Sequence, residues 1–574
     1  MQAVYNIAEI CARHGITDVV LSPGSRSAPL TLAFARHPAL TVRVVPDERA
    51  AAFIGLGIAQ AQRRAVALVC TSGTAGLNYA PAVAEAFFQQ IPLVIFTADR
   101  PPEWIDQLDG QTIRQHNLYG AHAKGAFEFP VDTAHPDAKW HSARIVNEAI
   151  NLAHAAPAGP VQVNVPLREP FYPKAGEAIG YEKDVKIIRD DADLPASTFF
   201  AEAHASSPYE GLLNRILVVV GQHVSDSSMV AAIKYFAHQS GAIVVADSIS
   251  NLSADIPAIM SQDIFLSSAN EEFRESLQPS LLITFGKSLI SKALKLYLRK
   301  YPAKQQWHLQ PHHGAVADVF RSLTKVIRTS PTIFLGDFAH EFSQELRVKA
   351  MPYGKVWRRA NQQSAEFISR FFTDEVQPYN EFSVFRQALD QILETTALHL
   401  ANSMAVRYAN ILGIPQGRQI EVFANRGTSG IDGCNSTAVG AALAQPGRPV
   451  VLMTGDVAFF YDRNAFWHNY PTPNLRVVLF NNHGGGIFRL IDGPRQQPEL
   501  EEFFETRQAL TAENTARDFN LRYFPVASFA ELDAALPVFF AAETGAAILE
   551  VFTDSKTNAA FFEEYRAAVK QAFS

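Results

Sequence analysis

The sequence predicts an α/β protein of three doubly wound parallel-sheet domains. Two observations carry that expectation. Short runs rich in β-branched residues recur along the 574 residues, each closing on Gly, Ser, Thr, Asp or Asn, and stretches of helical periodicity separate them. Strands that are apolar at every position are buried on both faces, as in parallel sheets covered by helices. At roughly 150 residues per domain, the length suits three or four such units.

Residues 1–16 read as an amphipathic helix containing Glu9. They have neither the basic start nor the apolar run of a signal peptide. The runs DVVL, AVALVC and PLVIFTAD supply strands of a first domain. RILVVV, AIVVA and LLITF supply strands of a second, and PVVLMT and LRVVLF strands of a third. Residues 174–210 are polar and irregular and read as a linker, and residues 350–385 lack sheet-type runs. Domains are therefore expected at 1–185, 186–350 and 351–574. The strand–turn–helix unit opening at Arg64 resembles that opening at Arg448, and each is followed by a second strand, at Ile91 and Leu475. This faint repeat relates the first domain to the third. Near the end, LPVFFAAETGAAILEVF is interrupted by Glu543 and Gly545 and reads as a buried helix followed by a buried strand. The tail FFEEYRAAVKQAF reads as an amphipathic helix that packs on the core.

The net charge of −7 argues against sequence-blind nucleic-acid binding, which requires excess Lys and Arg. No apolar stretch reaches the ~18 residues needed to cross a bilayer. The three cysteines, Cys11, Cys70 and Cys434, are too few and too odd in number for a disulfide framework. The expectation is a soluble, cytoplasmic protein.

The segment GDVAFFYDRNAFWHNYPTPNLRVVLFNNHGGG carries the chemistry. One buried strand ends at Gly455-Asp456, and the next ends at Asn481-Asn482. Parallel strands end on one edge, where ligands bind. Asp456 offers a carboxylate oxygen, Asn482 an amide oxygen, and Gly484 a carbonyl that glycine's backbone freedom lets turn inward. Three oxygens without Cys or His suit a hard cation such as Mg²⁺. The glycine turn also frees N–H groups for phosphate. Either pair alone would be ordinary strand-end turn chemistry. Together they describe a diphosphate–metal cradle.

This arrangement resembles the signature of thiamine diphosphate (ThDP) enzymes, in which GD is followed by NN. The resemblance implies three domains of the ThDP-enzyme type. It also implies a glutamate from another domain that binds N1′ of the aminopyrimidine. In VPDERAAAF, Glu48 follows a strand and opens a helix; by itself it would be a first-turn Glu favoured by the helix dipole. The loop CTSGTAGLN resembles the TSGxGxxN loop of the same enzymes, and places Thr74 and Asn78 near the cofactor.

Longer strings narrow the resemblance. LSPGSRSAPLTLA, VPDERAAAFIGLGIA, FTADRPPEWIDQLDGQTIRQ, ANSMAVR, FANRGTSGIDG and NNHGGGIF resemble, in order, the 2-succinyl-5-enolpyruvyl-6-hydroxy-3-cyclohexene-1-carboxylate (SEPHCHC) synthase family of menaquinone biosynthesis. That family joins 2-oxoglutarate to isochorismate with loss of CO₂. Both substrates are dianions, and arginine forks suit carboxylates. The resemblance assigns Ser25, Arg26, Arg100, Gln111, Lys292, Ser403, Arg407, Arg426 and Phe488 to substrate. It assigns Glu48, Thr74, Asn78, Ile431, Gly455, Asp456, Asn482 and Ile487 to ThDP, with Glu48 the catalytic residue. Mg²⁺, or Mn²⁺ in its place, would rest on Asp456, Asn482 and Gly484. It further implies a homodimer or homotetramer whose active sites form between chains. Ala293 stands where relatives can carry arginine, His483 where Asn or Asp is common, and Arg463 in a usually apolar helix start.

Other readings stay open. An acetolactate synthase or 2-oxoacid decarboxylase would share the cradle but not the PGSRS, ADRPPE and NRGxSGIDG strings. A non-catalytic ThDP-binding protein would not need Glu48. GLGIAQA hints at a nicotinamide dehydrogenase, but lies inside a helical pattern. His312-His313 reads as a solvated turn.

Overall fold

The computed structural model describes residues 1–173, 178–189, 212–252, 256–373, 377–415 and 417–573. Among these, 17 strands form three sheets, and every pairing is parallel. The first sheet holds β1 (Asp18–Leu21), β2 (Thr41–Val44), β3 (Val66–Cys70), β4 (Leu93–Asp99), β5 (Ala126–Glu128) and β6 (Val161–Pro166) in the order β2-β1-β3-β4-β6-β5. The second holds β7 (Ile216–Val220), β8 (Ile243–Ala246), β9 (Leu281–Phe285), β10 (Gln305–Leu309) and β11 (Leu323–Ile327) in the order β11-β10-β9-β7-β8. The third holds β12 (Ala397–Leu400), β13 (Glu421–Phe423), β14 (Val450–Gly455), β15 (Leu475–Asn481), β16 (Arg522–Val526) and β17 (Ala547–Phe552) in the order β13-β12-β14-β15-β17-β16.

The first and third sheets share one strand order. The repeated units at Arg64 and Arg448 lead into β3 and β14, which occupy matching places, with β4 and β15 beside them. Each of these four strands is buried throughout, apart from half-buried Gly455, because helices cover both faces. The string GLGIAQA lies inside the helix Glu48–Gln62, away from any strand end.

Part of the segment expected as a linker is folded onto the first unit. Residues 178–189 run beside the helices Gln2–Arg13 and Pro136–His154. Arg13 donates to the Val185 carbonyl at 3.0 Å, Asn147 donates to that of Lys186 at 3.0 Å, and the Ile188 N–H donates to Asn147 Oδ1 at 2.8 Å. These side chains satisfy backbone groups that make no sheet ladder. The rest of that stretch, 174–177 and 190–210, lies outside the described residues. In the stretch without sheet runs, the helix Gln344–Phe371 crosses position 350 without a break and buries Tyr353 and Trp357 in the middle core.

The first and third units meet through two helices. The helix Glu48–Gln62 buries Ala50 to Ala59 without interruption, and the helix Cys434–Ala444 buries Cys434 to Leu443. A helix apolar on every side must be enclosed on every side. Small residues let the two backbones approach. A Cβ on Gly57 would lie 2.2 Å from the Thr437 carbonyl oxygen, and one on Gly440 would lie 2.2 Å from that of Ile54. The neighbouring atoms are backbone and have nowhere to move. Gly440→Ala is therefore expected to lower unfolding free energy by about 1–3 kcal/mol. Gly447→Ala, with no atom within 4 Å of the new Cβ, should change it by less than about 0.5 kcal/mol. Urea titrations of both variants check this, and equal midpoints would remove the crossing from its structural role.

Candidate active site

Register brings the GD and NN pairs together. β14 and β15 pair from Val450 opposite Leu475 to Gly455 opposite Phe480, so Asp456 and Asn482 leave the same edge of the sheet. Asp456 opens the helix Asp456–Tyr461 and is 2% exposed. Its Oδ1 accepts from the Val457 N–H at 2.8 Å, and its Oδ2 accepts from Gln508 Nε2 at 2.9 Å. Burial pushes its carboxyl up to about 6. Asn482 donates through Nδ2 to Glu381 Oε2 at 2.8 Å. Its Oδ1 is buried and has no hydrogen-bond partner among the described residues. An orphaned amide oxygen beside a buried carboxylate fits a cation ligand.

Gly484 is glycine for a different reason than expected. A Cβ there would meet the Glu505 carbonyl oxygen at 2.7 Å, so the requirement is close approach. The left-handed residue of this turn is His483, at φ +64°, whose ring lies 6.1 Å from that of Phe552. The Gly484 carbonyl accepts from the Gly486 N–H at 2.9 Å and keeps a second lone pair. Among the described residues, no group of three or more His, Cys, Asp or Glu side chains gathers as a metal site. A cation at this edge would rest on the mixed carboxylate, amide and carbonyl set. Ile487 and Phe488 follow in the single turn Gly486–Arg489, where Phe488 meets Phe504 at 5.8 Å between ring centres. Ile431 packs on a small cluster of Ala401, Cys434 and Ala458.

Glu48 lies on the first sheet's edge. Asp47 caps its helix by accepting from the Ala50 N–H at 3.0 Å. Glu48 lines a cleft of about 370 Å³ with Thr71, Ser72, Gly73, Thr74, Asn78 and Gln111, among others, and every lining residue belongs to the first unit. Gly73, at φ +82°, donates its N–H to Gln115 Oε1 at 2.8 Å. The hydroxyls of Thr71 and Ser72 are buried without partners among the described residues, which leaves polar atoms for a ligand in this cleft.

The arginines fall into two pairs. Arg26 donates to the Leu167 carbonyl at 2.9 Å and lies over Phe171, and burial together with nearby Arg100 lowers its pKa below the usual arginine value. Arg100 is held by Asp109 at 2.7 Å and by the Gly110 carbonyl. Ser25, in the same loop as Arg26, is exposed. On the third sheet, Arg426 donates to Asn402 Oδ1 at 2.7 Å, and Arg407 lies within its electrostatic reach. Arg407 donates to the carbonyl of Ser403, itself at φ +77°. Lys292 is exposed at the start of the helix Lys292–Lys300.

Sequence reading missed the residues that hold these groups: Glu381, Gln508, Gln115, Asn402 and Glu85. Gln115 and Asn402 lie inside strings quoted for the resemblance but were given no role there, and Glu381, Gln508 and Glu85 belong to no motif. Glu381 resembles any first-turn glutamate, and only its burial marks it. Its carboxyl is pushed up to about 7 by that burial, with Asp456 nearby.

Three family models match the chain. They are described as thiamine pyrophosphate enzyme, N-terminal TPP binding domain, over residues 1–121; middle domain of thiamine pyrophosphate, over 212–400; and thiamine pyrophosphate enzyme, C-terminal TPP binding domain, over 408–551. Thiamine pyrophosphate is ThDP under its other name, and the chain is a ThDP enzyme built of these three domains. It is 44% identical to the SEPHCHC synthase of Cytophaga hutchinsonii over 100% of both chains. It is 38% identical to that of Porphyromonas gingivalis over 96% of this chain and 94% of the relative. It is 35% identical to that of Flavobacterium johnsoniae over 98% and 97%. The chain belongs to the SEPHCHC synthase family.

Glu85 ties the first unit to the Arg426 loop. It is 1% exposed, on the helix Ala80–Gln89. It accepts from the N–H groups of Gly427 at 2.8 Å and Thr428 at 2.6 Å, and from the Thr428 hydroxyl at 2.6 Å. Glu85→Ala would leave two backbone donors unpaired, at a cost of about 3 kcal/mol. Chemical unfolding should record that loss, and wild-type stability would exclude the clamp.

Proposed function

We propose that the chain releases CO₂ from 2-oxoglutarate and adds the remaining succinyl unit to isochorismate, forming SEPHCHC in menaquinone biosynthesis. The observation that carries this reading is the two arginine pairs, Arg26 with Arg100 and Arg407 with Arg426, in a protein of net charge −7. Two polycarboxylate substrates require such local cations, since a buried carboxylate without a partner is costly. Ser25, Gln111, Lys292, Ser403 and Phe488 complete the substrate contacts.

ThDP, when bound, supplies a nucleophilic carbon and an electron sink for decarboxylation. Glu48 holds a proton at N1′ of the aminopyrimidine. Thr74 and Asn78 line that side, Ile431 supports the ring system, and Ile487 with Phe488 excludes water from the reacting end. Gly455 and Asp456 meet the diphosphate edge. Mg²⁺, or Mn²⁺, rests on the Asp456 carboxylate, Asn482 Oδ1 and the Gly484 carbonyl.

Among the described residues, the Glu48 cleft has no lining from the third unit. That supports a homodimer or homotetramer in which Glu48 of one chain completes the cradle of another. Domain limits of 1–185, 186–350 and 351–574 assign one sheet to each domain, although residues 186–189 pack on the first unit and Tyr353 and Trp357 on the middle core. Among the described residues no helix is long and apolar enough to cross a membrane, which is compatible with the proposed cytoplasmic location.

Mass analysis of the product from 2-oxoglutarate and isochorismate, with ThDP and Mg²⁺, tests the reading. Turnover of 2-oxoglutarate that ignores isochorismate would favour a plain decarboxylase. Glu48→Gln should lose at least about 10²-fold in rate while ThDP still binds. Asp456→Ala should weaken Mg²⁺ and ThDP retention ~10–100-fold by calorimetry. Full activity in the first variant, or unchanged affinity in the second, refutes the corresponding role.

A further inference from the structure

Asp247 and Asp263 form a buried polar joint between the middle and third units. Asp247 follows β8 and is fully buried. Its Oδ2 accepts from the N–H groups of Ile290 and, at 3.1 Å, Ser291, while Oδ1 accepts from Gln262 Nε2 at 2.9 Å. Asp263, on the helix Gln262–Ser268, accepts from the Ser291 hydroxyl at 2.6 Å through Oδ1. Ser291 Oγ in turn accepts from the Leu294 N–H at 3.0 Å and so caps the helix that Lys292 opens. Both carboxylates thus converge on the turn immediately before Lys292.

The same carboxylates reach across to the third unit. Asn410 donates from Nδ2 to Asp263 Oδ2 at 2.9 Å, and its Oδ1 accepts from the Ser248 N–H at 3.0 Å. Asn410 lies on the helix Met404–Leu412, three positions beyond Arg407, so the two occupy neighbouring faces of that helix. The cations around the joint are Lys295 and Arg426 near Asp247, and Arg407 near Asp263. Lys295 donates to the Leu289 carbonyl at 2.7 Å, which adds a further tie to the turn.

We propose that Asp247, Asp263 and Asn410 are positioning residues: they lock the Lys292 turn of the middle unit to the Arg407 helix of the third, so that both cations address one substrate site. None of the three touches substrate. The arrangement gives the middle unit a part in catalysis that its own exposed lysine could not hold alone, since an unanchored turn would spread Lys292 over many positions and misplacement is costly in rate. This inference rests on the proposed substrate role of Lys292.

The test is a double-mutant cycle in the full-length enzyme with ThDP and Mg²⁺. Asn410→Ala and Asp263→Asn are each expected to lower carboligation kcat/KM about tenfold, through KM for one substrate, with kcat and ThDP affinity retained. Lys292→Ala should show a similar loss, and Asn410→Ala added to Lys292→Ala should cost almost nothing more. Additive losses, or losses shared equally by kcat and ThDP binding, mean a merely structural contact and overturn the joint. Normal activity of both joint variants while Lys292→Ala is impaired overturns the joint alone. Normal activity of Lys292→Ala overturns the reading of Lys292, and the joint with it. Should Asp263→Asn fail to fold, Asn410→Ala on the opposite side carries the cycle.

Discussion

The crossing of the helices Glu48–Gln62 and Cys434–Ala444 is the constraint on which the placement of both candidate site regions within the chain depends. Gly57 and Gly440 let two backbones touch where side chains would hold them apart. One of these helices begins with Glu48, and the other follows the loop that carries Arg426 and Ile431. A single close contact therefore sets the spacing of segments far apart in the chain. The contact is fully buried, and packed interiors yield little. The first and third sheets share a strand order, so the crossing relates two similar units through corresponding edges of their folds.

Around that frame, carboxylates set the positions of the cations. Asp109 holds Arg100, Glu85 holds the loop after Arg426, and Asp263 lies near Arg407 while anchoring the turn before Lys292. Each carboxylate accepts from backbone or side-chain donors, so it shapes a loop as well as balancing charge. Local pairs of cations thereby stand together in a chain of net charge −7. The arginines are held by the chain's own groups, so a carboxylate ligand meeting them would need little further ordering.

Much of the fold was legible because strands buried on both faces are predominantly apolar. β3, β4, β7, β14 and β15 are of this kind. The edge strands β11 and β16 were not legible: each is buried at a single position and they carry Lys325 and Arg522. The ends of β14 and β15 could be read because Gly455-Asp456 and Asn481-Asn482 break apolar runs abruptly. Glu381, Glu85 and Asp247 could not, since each owes its role to burial by distant segments. A lone acidic residue in a helix or at a strand end has no local signature of that burial. The reason for Gly484 was also hidden, because the chain that crowds it comes from residue 505.

The pairing of Asp456 with Asn482, rather than two carboxylates, follows from the same electrostatics. Glu381 already lies beside Asp456, and burial raises the pKa of both carboxyls. A third carboxylate at 482 would add like charge in a poorly solvated place. An amide supplies an oxygen without net charge, and its other end is occupied by Glu381, which leaves Oδ1 as the free donor atom. A divalent cation shared with a diphosphate needs little further negative charge from protein, because the phosphates bring their own. One carboxylate, one amide and one carbonyl therefore suit a cation bound together with its phosphate ligand better than a cation bound alone.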